Sequence, residues 1–117
     1  MVPADIRKNK RYHSIAKARI DKIDYGEFLL KDISITGCRL ESTVTIDAKP
    51  GTEYLIEIIP EKPSNIGNFE LVTKSVWIQS GGYSTEIGFN IIKSPKGKLF
   101  ERYVDYLVWR SSGKNQL

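Results

Sequence analysis

From Ala16 to Ile92 the apolar residues repeat with a period of two in short runs, and each run stops at a glycine, a proline or a polar turn. That pattern admits strands and little else, because an amphipathic helix needs a 3.6-residue stripe held over ten or more positions. "AKARIDKI" (16–23) sets Ala16, Ala18 and Ile20 on one side and Lys17, Arg19 and Asp21 on the other. "FLLKDIS" (28–34) is a second strand, broken at Thr36–Gly37, and "CRLES" (38–42) alternates apolar with charged residues. After the Pro50–Gly51 turn, "YLIEII" (54–59) reads as a buried strand, and "PEKPSNIGN" (60–68), with its two prolines, as loop. "FELVTKSVWI" (69–78) is rich in β-branched and aromatic residues with imperfect alternation, "SGG" (80–82) gives a hairpin, and "STEIGFNII" (84–92) puts Ile87, Phe89 and Ile91 on one face.

The period changes after Pro95. In "KGKLFERYVDYLVWR" (96–110), Phe100, Tyr103, Val104, Leu107 and Val108 fall at helical spacing, and a proline suits the start of a helix. Six short strands and one helix predict a mainly β chain: a small six-stranded antiparallel β-barrel with a C-terminal α-helix packed on it. Closure into a barrel removes exposed strand edges. A chain of 117 residues suits one domain. The reading divides it into a basic N-terminal arm (1–15), the barrel with its helix (16–110) and a polar tail (111–117).

Charge is distributed unevenly. Residues 1–19 carry six Lys or Arg against Asp5 alone, while the whole chain has a net charge of +4. The cationic excess therefore sits in the arm, which points to an anionic partner. No catalytic constellation accompanies it. His13 is the only histidine and Cys38 the only cysteine, so no metal-ligand set, triad or internal disulfide can be built from them. The carboxylates are scattered, and no glycine-rich phosphate loop occurs. A non-enzymatic protein with no cofactor and no metal is expected. No apolar run is long enough to span a membrane, and the N-terminus lacks the apolar core of a secretory signal, which fits a cytoplasmic location. The cations lie mainly in the arm, and no aromatic ladder crosses the strands, which argues against a barrel for nucleic-acid polymers.

Two short patterns remain. Arg7-x-x-x-Arg11 lies in "RKNKR", and Asp32-x-Ser34-x-x-Gly37 lies in "DISITG". Taken alone, the first is a solvated basic run, and the second closes a strand with side-chain-to-backbone hydrogen bonds. In this order, about twenty residues apart and followed by barrel strands and a helix, they resemble the PilZ domain family. "VWI" (76–78), "GGY" (81–83) and "EIGFNII" (86–92) are similar to the late strands of such domains. The resemblance runs over roughly residues 7 to 108.

The resemblance implies a PilZ-like split barrel that binds cyclic diguanylate (cyclic di-GMP), a bacterial second messenger, through Arg7, Arg11, Asp32, Ser34 and Gly37. It also implies an effector protein, unidentified, that reads the bound state in control of motility, attachment or polysaccharide. The chemistry suits that ligand. Its two phosphodiesters and two flat guanines match the fork and the face of a guanidinium, and a carboxylate accepts from a guanine N–H edge. Gly37 would let the backbone turn tightly, with a positive φ open to it. A second register matches Lys10 and Ser14 to the two arginine positions. In that register the chain is a PilZ-like adaptor that binds protein and not nucleotide, with Tyr106 and Trp109 as contact residues.

Overall fold

Alternation along the runs becomes an inside and an outside once the strands pair. The structure is a computed structural model and describes residues 10–112. In chain order it contains β1 (Tyr12–His13), β2 (Lys17–Ile20), β3 (Phe28–Ile33), β4 (Gly37–Ser42), β5 (Glu53–Ile59), β6 (Phe69–Gly81), β7 (Ser84–Lys93) and α1 (Gly97–Ser111), with a 3-10 turn at Lys62–Ser64. All pairings are antiparallel. The sheet runs β3–β2–β5–β6–β7–β4, and β4 pairs back onto β3, closing a barrel of β2 to β7.

The short extra strand β1 lies in the segment read as arm. Tyr12 stands opposite Ile33 and His13 opposite Asp32. β1 and β2 follow the same side of β3, and the gap between them is bridged by Ser14 N donating to Lys31 O at 3.1 Å and Leu30 N to Ala16 O at 2.9 Å. Tyr12 faces inward and is buried, which ties the arm's end to the core. The long hairpin of β6 and β7 turns on Gly82–Tyr83, where Gly82 takes a φ of +70°, the conformation glycine supplies at a two-residue turn.

The inward residues match the sequence periodicity. Leu30, Ile33, Leu40, Ile56, Ile58 and Ile87 have no solvent exposure. Each such side chain contributes on the order of 1.5–3 kcal/mol by leaving water. α1 lies against the end of the barrel where β1, the loop after β5 and the start of β6 converge. Phe100, Tyr103, Val104 and Leu107 are buried there, and the Phe100 and Tyr103 rings each lie 5.9 Å from the Phe69 ring. Val108 is partly buried. Among the described residues no helix is long and apolar enough to cross a membrane.

A buried polar chain fastens the helix to the arm. Tyr103 Oη donates to Glu61 Oε1 at 2.7 Å, and Arg110 Nη1 donates to Glu61 Oε2 at 2.9 Å. With its proton committed to a carboxylate, Tyr103 accepts from Ser14 Oγ at 2.6 Å, and Ser14 Oγ accepts from Ala16 N at 2.9 Å. Arg110 Nη2 also donates to the His13 carbonyl. Burial raises the Tyr103 hydroxyl pKa well above the usual range; the Ser14 bond opposes that shift and Glu61 adds to it. Tyr103→Phe leaves Ser14 without its acceptor and Glu61 short of one donor. We expect it to lower the unfolding free energy by about 1–3 kcal/mol in urea titrations.

Candidate ligand-binding site

Strict alternation along β3 would turn Asp32 inward, because Leu30 faces the core. The register shifts between Leu30 and Asp32, so Lys31 and Asp32 both face outward and Ile33 returns to the core. A bulge of this kind re-aims a side chain at the cost of one ladder position. Asp32 then stands opposite Arg39 of β4, Arg39 opposite Gly88 of β7, and Gly88 opposite Trp77 of β6. A second register shift, between Ser75 and Trp77, turns Val76 and Trp77 both outward. Two bulges thus place a carboxylate, a guanidinium and an indole along one outer row of the barrel.

Gly88 is required in that row. A Cβ there would lie 2.3 Å from both Cε2 and Nε1 of Trp77, so the indole occupies the space a side chain would fill. Gly37 is required for a different reason. Its φ is not in the positive region, in contrast to the expectation from sequence; a Cβ would instead meet the Phe89 carbonyl at 2.8 Å and Arg11 Nη2 at 3.0 Å. The close packing of β4 on β7 and the approach of the arm's arginine both depend on the missing side chain.

Asp32 carries two guanidiniums. Arg39 Nη2 lies 2.9 Å from Oδ2, and Arg11 Nη1 lies 3.3 Å from Oδ1. The Asp32 side chain is 13% exposed and that of Arg11 45%. Arg39 is also 3.4 Å from Glu86 Oε1, and its Nε is buried with no hydrogen-bond partner among the described residues. Nothing in the sequence motifs marks Arg39. The signal available was its position two residues beyond Gly37, on the outward face of the strand paired with Asp32.

Of the other motif residues, Ser34 is buried. Its Oγ accepts from Gly37 N at 3.1 Å and from Thr36 N at 3.2 Å, so the hydroxyl closes the turn that presents Asp32. Arg7 lies outside the described residues. Lys10 is exposed, its Nζ 5.6 Å from the Tyr12 ring centre, whereas Ser14 points inward to Tyr103. Structure therefore brings Arg11, Asp32 and Gly37 together and turns Ser14 away from the outer surface. Cys38 lies in the core behind the site, and burial pushes its thiol from 9.0 up to about 12, with Arg11 pulling down and Asp32 pushing up.

Among solved structures, that of the Bacillus subtilis inhibitor of motility (MotI/DgrA) superposes with a TM-score of 0.72 at 15% sequence identity. The two share a fold. The match covers 89% of this chain and 50% of the other, so this chain spans about half the length of that protein. No family model and no curated protein matches the sequence.

Two measurements check this geometry. In a Trp109→Phe background, Gly88→Val should drive the Trp77 indole off the sheet, shift its emission to longer wavelength and cost about 1–3 kcal/mol through overpacking. The Cys38 thiol gives a pH dependence. Between pH 9.0 and about 12 the unfolded chain has released this proton and the folded chain has not. Stability is therefore fully present below pH 9.0 and is lost as pH rises toward 12. Cys38→Ala should flatten that part of the alkaline slope in urea melts.

Proposed function

We propose that this chain is a non-enzymatic receptor for cyclic diguanylate that relays ligand binding to a protein partner. One observation carries the reading. The Arg11 guanidinium rests on Asp32 beside Gly37, so a half-exposed cation donor, a carboxylate acceptor and a face without a side chain occur at one place on the barrel. A doubly anionic ligand with guanine edges needs those groups together: guanidinium for phosphate or the O6/N7 edge, carboxylate for the guanine N–H edge. Arg7, in the same basic segment, would add a second guanidinium. Ser34 contributes by shaping the turn. Trp77, partly exposed along the same row, lies over Gly88, the residue opposite Arg39, and offers an aromatic ring there.

Relay to a partner has support in the way β1 is held. Arg11 leads directly into Tyr12, His13 and Ser14, and the last two are bonded to Arg110 and Tyr103 of α1. Movement of Arg11 onto a ligand therefore pulls on a segment that touches the helix. The shared fold with an inhibitor of motility supports a regulatory output, in motility or another surface behaviour.

A second reading has its own observation. Both Asp32 oxygens already have partners within the chain, and Trp109 is half exposed at the end of a row of rings formed with Tyr103 and Tyr106. A protein-binding adaptor needs no nucleotide to complete such a surface. Isothermal titration separates the two. A receptor binds cyclic diguanylate at micromolar levels, and Arg11→Ala and Asp32→Ala each weaken it at least tenfold, about 1.4 kcal/mol, with little change in melting temperature. An adaptor shows no heat and no ligand-dependent stabilisation while still capturing a partner through the helix.

A further inference from the structure

The two arginines on Asp32 are held very differently. Arg39 is built into the barrel: its backbone pairs with Asp32 on one side and Gly88 on the other, and its guanidinium is braced between Asp32 and Glu86. Its Nε has no solvent contact, and its side chain is 31% exposed. Arg11 precedes β1, lies outside the ladder, has the more exposed side chain at 45% and makes the longer contact, 3.3 Å. An exposed ion pair of that length is weak and exchangeable, whereas one anchored by strand pairing on both sides keeps its geometry.

We propose that Arg39 is the positioning residue of this site. It pins Oδ2 of Asp32, which fixes the plane of the carboxylate, and so presents Oδ1 outward to the ligand. In the free chain Arg11 occupies Oδ1. The ligand's N–H edge takes that oxygen when it binds, and the displaced guanidinium turns to the phosphate. This rests on the receptor reading above. It adds to that reading the group that aims the carboxylate, and it accounts for why a site with every Asp32 oxygen partnered can still bind: one of the two partners is a place-holder. It also divides the labour between the arginines, with Arg11 acting on ligand charge and Arg39 acting on base identity through Asp32.

The test compares cyclic diguanylate with cyclic diadenylate, which has the same charge and backbone and lacks the guanine N1–H and 2-amino donors. Each is titrated into wild type, Arg39→Gln, Arg39→Lys and Arg11→Ala, with folding checked by circular dichroism. Wild type should prefer the guanine ligand at least tenfold. Arg39→Gln should reduce that preference to threefold or less, mainly by weakening the guanine ligand. Arg11→Ala should weaken both ligands in parallel and keep the preference. Retention of the preference in Arg39→Gln overturns the inference and leaves the receptor reading standing, as does an equal loss of both ligands, which would place Arg39 on the phosphates. Equal binding of both ligands by wild type overturns it too, since no base edge is then being read. If wild type binds neither, the receptor reading itself falls and takes this with it. Should Arg39→Gln fail to fold, Arg39→Lys decides alone, because an ammonium keeps the charge and loses the fork. A preference reduced threefold or more supports the role, and an unchanged preference overturns it.

Discussion

Closure of the sheet by β3 on β4 is the constraint from which the rest of the molecule follows. Without it, β3 and β4 would be open edges, and the inward residues of both would face water along one flank. With it, β3 pairs on both sides, and its irregularity becomes a feature of the surface instead of a frayed end. The bulge at Lys31 lies in this closing seam. It turns Asp32 outward, and the register of the same seam sets Arg39 against it. The central ion pair of the site is thus a product of how the barrel shuts.

Magnitudes separate what holds the fold from what equips it. Ion pairs at exposed positions, such as Arg19 with Glu27 and Glu57, contribute about 0–1 kcal/mol each, and salt screens them. The apolar interior and the seated face of α1 contribute several times that for every large side chain. Charges on the rim can accordingly change partners without endangering the barrel. The exception is Glu61, whose side chain is only 7% exposed; it is tolerable there because Tyr103 and Arg110 both donate to it.

The six barrel strands and the helix were legible from hydrophobic period and turn residues, because burial on one face leaves a mark every second residue or every turn. The short strand β1 was not, since two residues carry no period. The bulges were equally hidden: alternation in "LLKDI" gives no sign that Lys31 and Asp32 share a face, and only the imperfect pattern of "KSVWI" hinted at the second. Gly37 drew attention as a residue free to take a positive φ, whereas what the structure shows is a steric need set by the Phe89 carbonyl and by Arg11, distant in sequence. Ser34 follows the local alternative, a hydroxyl closing its own turn. Arg39 escaped notice because its place against Asp32 comes from cross-strand register, which no single run of residues displays.

The bonds from Ser14 to Tyr103 and from Arg110 to the His13 carbonyl span 89 and 97 residues. The entropy of closing a loop grows only as the logarithm of its length, but it has to be met before such a contact returns anything. Once the strands are paired, most of that cost has already been met by the barrel, so these clasps belong to the end of folding and to the beginning of local opening. The contacts that join the segment bearing Arg11 to α1 therefore presuppose the barrel, while the pairing of the strands does not presuppose them.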